Sequence, residues 1–254
     1  MSAMDRAALI RALPYARRYA RALLGSQEAG DALVAGALRE VLAASPAEGL
    51  ASDAGARTAL YAAIGDLAEA APRPATPQAQ AQEISQLQRR LLLLTALEGQ
   101  TLTAAAAACH VAPATAELEL RLARDVLKDG ASARVLIIED EPIIALDIQE
   151  LVERCGHSVV GIAASETQAV SIARQERPSL VLADINLGAG GDGTHAVARL
   201  LRHVSAPVIF VTAHPERLLT GDAVEPAFVI TKPFDPTTLA VATFQAVTHG
   251  APPV

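Results

Sequence analysis

The stretch Leu180-Val-Leu-Ala-Asp184-Ile-Asn186-Leu places one carboxylate at the end of a short apolar run. Four apolar or small residues, bounded by polar ones and followed by a glycine-rich segment, read as a fully buried strand of a parallel sheet. A carboxylate at the carboxyl end of such a strand lies in the crevice where open α/β sheets do their chemistry. A lone aspartate there is more simply a turn cap. Three further stretches outweigh that simpler reading.

Arg134-Val-Leu-Ile-Ile-Glu139-Asp140-Glu141-Pro142 is a second apolar strand ending in acids. Ala206-Pro-Val-Ile-Phe-Val-Thr212-Ala213 ends in a hydroxyl, and Ala227-Phe-Val-Ile-Thr-Lys232-Pro233 ends in lysine. In a parallel sheet these ends share an edge, so Glu139, Asp140, Asp184, Thr212 and Lys232 are expected to converge. Clustered carboxylates repel unless a hard divalent cation neutralises them, and oxygen ligands with retained waters suit Mg²⁺. One ammonium and one hydroxyl complete what a developing phosphoryl group needs, with Asp184 as the nucleophile that forms an aspartyl phosphate.

This pattern resembles the receiver domain of two-component response regulators. The resemblance implies phosphorylation at Asp184, with metal held by Glu139, Asp140, Asp184 and the backbone carbonyl of Asn186. Thr212 and Lys232 would contact the phosphoryl group. Two positions depart from the usual pattern. Gly188 stands where a proline is usual, in a loop, Gly188-Ala-Gly-Gly-Asp-Gly193, that is one residue longer. Val229 stands where an aromatic is usual, and the aromatic is Phe228. Strand side chains alternate faces, so Phe228 does not substitute for it.

Strands are expected near residues 134–139, 158–162, 179–184, 207–211 and 227–231. Helices are expected near 142–155, 165–176, 194–204 and 236–248. Such alternation implies a doubly wound, flavodoxin-like domain with a five-stranded parallel sheet over residues 131–254. The connection 213–226 is shorter and holds two prolines, which work against a helix.

The first half carries a different pattern. Residues 5–24 place Leu9, Leu13, Ala16, Ala20 and Leu23 on one helical stripe, with the arginines mostly off it. Ser26 caps a second helix to about residue 44, and Asp53 opens a third to about residue 71. Residues 72–81, beginning Pro72-Arg-Pro-Ala-Thr-Pro77, read as a linker. A fourth helix is expected over about 82–97, inward through Ile84, Leu87, Leu91 and Leu94. Two short helices, 103–109 and 113–128, then flank a turn in the manner of a helix-turn-helix. Residues 129–133 form a short joint, which makes 1–130 an all-α domain.

This order resembles an extracytoplasmic-function sigma factor. The matching words are Leu13-Pro-Tyr-Ala-Arg-Arg-Tyr-Ala-Arg-Ala-Leu-Leu-Gly25, Ala96-Leu-Glu-Gly-Gln-Thr101 and Pro113-Ala-Thr-Ala-Glu-Leu-Glu-Leu-Arg-Leu-Ala-Arg124. In working sigma factors the last word is cationic and reaches DNA. Here Glu117 and Glu119 stand at the lysine and arginine positions, so the helix should repel a polyanion. The only aromatics of this half are Tyr15, Tyr19 and Tyr61, which helix packing explains more simply than base stacking.

The totals agree with a regulator. The 254 residues are 51% hydrophobic but only 3% aromatic, so the cores must be built from Ala, Leu, Val and Ile. The net charge of −7 sits mostly in the second half: 13 Lys+Arg face 14 Asp+Glu in residues 1–130, against 8 and 14 in 131–254. That balance argues against broad nucleic-acid binding. Cys109 and Cys155 lack metal-ligand spacing and suit a reducing cytoplasm. No apolar run approaches the ~18 residues of a membrane span, and no signal peptide is visible.

A sigma-like module ahead of a receiver resembles, over the whole chain, the PhyR-type regulators of the general stress response. The resemblance implies a non-enzymatic decoy. A sensor histidine kinase would phosphorylate the receiver, and the sigma-like domain would then sequester a NepR-type anti-sigma factor and release the true sigma factor, without direct DNA contact. The alternative is a DNA-binding response regulator acting through the helix-turn-helix. A third reading, an aspartate-nucleophile phosphatase, needs a second carboxylate two residues after the nucleophile, where Asn186 stands.

Overall fold

The structure is a computed structural model that describes residues 3–44, 52–70, 84–128, 132–213, 218 and 228–249. The chain divides into two compact units, Met1–Val126 and Leu127–Val254.

The first unit is all helix: α1 (Ala3–Leu24), α2 (Gln27–Ala43), α3 (Asp53–Ala70), α4 (Gln86–Leu92), α5 (Leu102–Ala108) and α6 (Pro113–Lys128). Local chemistry sets the starts. The Ser26 hydroxyl accepts from the Ala29 amide at the head of α2, and Thr101 accepts from Ala104 ahead of α5. Ser85 and Gln88 form a reciprocal capping box on α4, leaving fewer unsatisfied amides at that end. Ala12, Ala16 and Ala20 of α1 are buried, as are Ala37 of α2 and Ala56 of α3. Such small residues permit close helix approach. Tyr19 and Tyr61 fill the centre edge-to-face, their rings 5.1 Å apart.

Two expectations are corrected here. Arg18 and Arg21, read as lying off the apolar stripe of α1, are only 6% and 1% exposed. A buried cation is tolerable when paired; Arg18 meets Glu98 at 2.8 Å and Arg21 meets Asp31 at 3.1 Å. The fourth helix is also not one regular helix to residue 97. It passes at Leu93–Leu97 into a π-turn closed by the Glu98 amide on the Leu93 carbonyl. Across this junction Leu91, Leu92, Leu93 and Leu94 are all buried, which a 3.6-residue stripe does not allow. The linker 72–81 lies wholly outside the described residues, as does most of the joint.

The second unit alternates β1 (Arg134–Ile138), α7 (Pro142–Arg154), β2 (Ser158–Ala163), α8 (Glu166–Glu176), β3 (Leu180–Ala183), α9 (Gly193–Leu200), β4 (Val208–Thr212), β5 (Phe228–Thr231) and α10 (Pro236–His249). All strand pairs are parallel, in the order β2-β1-β3-β4-β5. The central strands β3 and β4 are buried throughout, which is why they read as unbroken apolar runs. One face packs Leu136, Ile138, Val181, Ala183, Phe210 and Val229 with Ala169 and Ala173 of α8 and Ala196 and Leu200 of α9. Phe228 is buried but is not part of that cluster. The expected difficulty with a helix over 213–226 falls almost entirely outside the described residues.

Candidate functional site

Strand register brings the predicted groups to one sheet edge. Asp184 follows β3, and its amide donates to the Ile138 carbonyl of β1 at 2.8 Å. Glu139, next after β1, is held by its own amide on the Ala163 carbonyl at the end of β2. The Lys232 amide donates to the Thr212 carbonyl at 2.8 Å, carrying β4–β5 pairing one residue beyond the strands. The hydroxyl residue Thr212 is itself buried.

One cation joins two of the acids. Lys232 Nζ lies 2.7 Å from Glu139 Oε2 and 2.8 Å from Asp184 Oδ2. The other oxygen of Asp184 accepts from the amides of Ile185 at 2.6 Å and Asn186 at 3.3 Å. Burial pushes the Glu139 carboxyl upward, opposed by its hydrogen bond to Lys232. Burial also works against the Lys232 ammonium, but its bonds to Asp184 and Glu139 outweigh this and hold its pKa above the ordinary lysine value.

Asp140 is placed differently. It is half-buried, accepts no hydrogen bond among the described residues, and aims Oδ2 at Gly188. Among the described residues no three His, Cys, Asp or Glu side chains gather closely enough to hold a metal, and Lys232 bonds Glu139 and Asp184 but not Asp140. The donor chemistry nonetheless fits a hard divalent cation: among the described residues the carboxylates Glu139, Asp140 and Asp184 follow β1 and β3 at this edge together with the ammonium of Lys232, and oxygen donors of this kind suit such an ion.

The loop after Asp184 is tightly fixed. The Leu187 amide donates to the Gly191 carbonyl and the Gly193 amide to the Ile185 carbonyl, on either side of an antiparallel bridge between Asn186 and Asp192. Asp192 caps α9 by accepting from the Thr194 amide at 2.7 Å. A Cβ at Gly193 would collide with the Asp184 carbonyl oxygen, so only glycine fits behind the acid. In the sequence the glycine run signals only a longer loop.

The first unit pairs Arg11, Arg17, Arg18, Arg21 and Arg90 with its own acids. Arg11 pairs with Asp53 at 2.8 Å, Arg17 with Asp31 at 2.9 Å, and Arg90 with Glu69 at 2.6 Å. Glu98 takes both the Arg18 guanidinium and the Tyr61 hydroxyl, the latter at 2.8 Å. The Arg57 guanidinium lies 3.6 Å from the Tyr15 ring centre, so all three tyrosines are engaged in packing. On α6, Glu117 is exposed beside Leu118 and Leu122, which are 49% and 48% exposed. Glu119 accepts from the Gln88 amide group at 2.8 Å. None of this favours a phosphate backbone as the ligand.

A five-stranded parallel sheet with acids and a lysine at its carboxyl edge, preceded by a helical unit, defines a response regulator with a non-standard output module. Residues 135–244 match the family model of the response regulator receiver domain, and residues 9–65 that of the Sigma2 domain of PhyR. The chain belongs to the PhyR family of regulators, which are not enzymes. It is 40% identical over 250 residues to the phyllosphere-induced regulator PhyR of Methylorubrum extorquens, spanning 94% of this chain and 92% of that protein. The crystal structure of the response regulator PhyR from Brucella abortus is 39% identical, with a TM-score of 0.83 over 98% of this chain and 95% of that one. The anti-anti-sigma factor PhyR from Bartonella quintana is 36% identical, with a TM-score of 0.82 over 96% of each chain. No helix among the described residues is long and apolar enough to cross a membrane.

Proposed function

We propose that this chain is a cytoplasmic, phosphorylation-dependent anti-anti-sigma regulator with Asp184 as its phosphoacceptor. The relative from Bartonella quintana is described as an anti-anti-sigma factor, and the internally paired arginines of α1 and the acidic Glu117 and Glu119 of α6 support the same role here. The observation that carries the site assignment is the Lys232 ammonium seated between Asp184 and Glu139. It holds a cation against the very oxygen, Asp184 Oδ2, that would attack phosphorus.

In this reading a sensor histidine kinase supplies the phosphoryl group. Asp184 attacks the phosphorus, the P–N bond to the donor imidazole breaks, and Thr212 and Lys232 contact the phosphoryl oxygens. Glu139, Asp140, Asp184 and the Asn186 carbonyl would hold Mg²⁺, which neutralises charge on the transferring group. Residues 131–254 act as the receiver. Residues 1–130 act as the sigma-like module that sequesters a NepR-type anti-sigma factor and so frees a sigma factor for stress transcription.

Incubation with Mg²⁺ and acetyl phosphate should add one phosphoryl group to the wild-type chain, seen by intact mass. Asp184→Asn should gain none, and Asp140→Ala should lose the Mg²⁺ dependence together with the label. Equal labelling of wild type and Asp184→Asn would sink the assignment.

A further inference from the structure

Gly188 opens the 3₁₀ turn Gly188–Gly190 with φ +50, and an ideal Cβ built there would lie 2.8 Å from Asp140 Oδ2. Real side chains do not approach so closely. The atom it would meet is the flexible tip of a side chain, so the carboxylate would give way rather than the loop. Asp140 takes no hydrogen-bond donor from the described residues, and it is the one acid of the edge that Lys232 does not hold. Its position is therefore set by the space around it, and Gly188 bounds that space.

We propose that Gly188 is a positioning residue for Asp140: by lacking a side chain on a left-handed turn, it keeps the carboxylate oxygen open toward a hydrated divalent cation. The proposal rests on the Mg²⁺ reading of the site. Mg²⁺ keeps several waters and demands near-octahedral geometry. A methyl group against Oδ2 therefore both re-aims the ligand and occupies the place of a water.

The test is Mg²⁺ titration of the full-length, unphosphorylated chain by calorimetry, with the Asp140 side-chain carboxyl followed by carbon NMR. Gly188→Ala should weaken Mg²⁺ binding about five-fold or more and move the Asp140 resonance. Gly188→Asn, a residue that tolerates a left-handed backbone, should do the same and so separates crowding from strain. Gly156→Ala is the control: φ there is +84, so the backbone strain is comparable, but nothing lies within 4 Å of its Cβ and it follows the far end of α7. It should leave both readouts unchanged. Unchanged affinity in both Gly188 variants overturns the proposal, as does equal weakening by Gly156→Ala. A wild-type chain that binds no Mg²⁺ overturns the site reading itself, and this inference with it.

Discussion

Asp184 is held from two sides, and the side away from Lys232 is the less forgiving. Behind it, Gly193 leaves no room for a Cβ, since the obstacle is the carbonyl oxygen of Asp184 itself rather than a movable side chain. Gly193→Ala must therefore displace the backbone of the acceptor. We expect destabilisation of the receiver by about 2 kcal/mol, the usual scale of overpacking. Phosphoryl labelling at a fixed acetyl phosphate concentration should fall at least about ten-fold, because small misplacements of a reacting group are strongly amplified. Labelling at the wild-type rate in a folded variant would contradict that placement. The convergence of Glu139, Asp184, Thr212 and Lys232 was readable in the sequence, because parallel strands carry them to one edge whatever the loops do. The rest position of Asp140 was not readable. It depends on the backbone of a turn about fifty residues away, and no periodic pattern encodes it.

At the scale of the element, the junction of α4 with its π-turn has the largest effect on packing. It ends at Glu98, which binds Arg18 of α1 and Tyr61 of α3 in a buried setting. Burial works against the Arg18 charge, yet Glu98 holds the guanidinium above its ordinary pKa. Burial together with Glu98 pushes the Tyr61 phenol upward. Breaking a buried pair by removing one partner typically costs about 3–5 kcal/mol. Glu98→Gln should approach the lower figure in urea denaturation, and Arg18→Met with Glu98→Leu should recover much of the loss. A single variant as stable as wild type would show that the pair is not buried in solution. Here the sequence reading fell short for a definite reason. A helical stripe ranks arginine as polar, and the partner that makes Arg18 an interior residue lies 80 positions away. Helix positions were nonetheless read to within a few residues, because Ser26 and Pro113 mark two starts chemically, whereas the caps Ser85 and Thr101 emerge only from the structure.

Across the whole molecule, the chain must convert a charge change at a sheet edge into availability of a helical surface. A ligand shifts such an equilibrium only by its differential affinity for the two states. Residues 1–130 alone should therefore bind the anti-sigma partner constitutively, whereas the full chain should require phosphorylation of Asp184. Calorimetry or pull-down with and without acetyl phosphate distinguishes these. Equal binding by the unphosphorylated full chain and the isolated half would exclude the receiver as an inhibitor. In the sequence Val229 stands where receivers usually carry an aromatic. Val229 packs with Phe210 inside one core cluster, and Phe228 stands outside it.

The arginines of α1 have a consequence for how this lineage could change. Arg11, Arg17, Arg18 and Arg21 each close an ion pair within the helical unit. The bonds that fold α1 into the unit are the same bonds that hold these four cations away from a phosphate backbone. A mutational path toward promoter recognition through α1 would have to break the pairs of the buried Arg18 and Arg21 before that helix gained a contact with DNA, crossing less stable intermediates. For that helix, mimicry of a transcription factor is ratcheted.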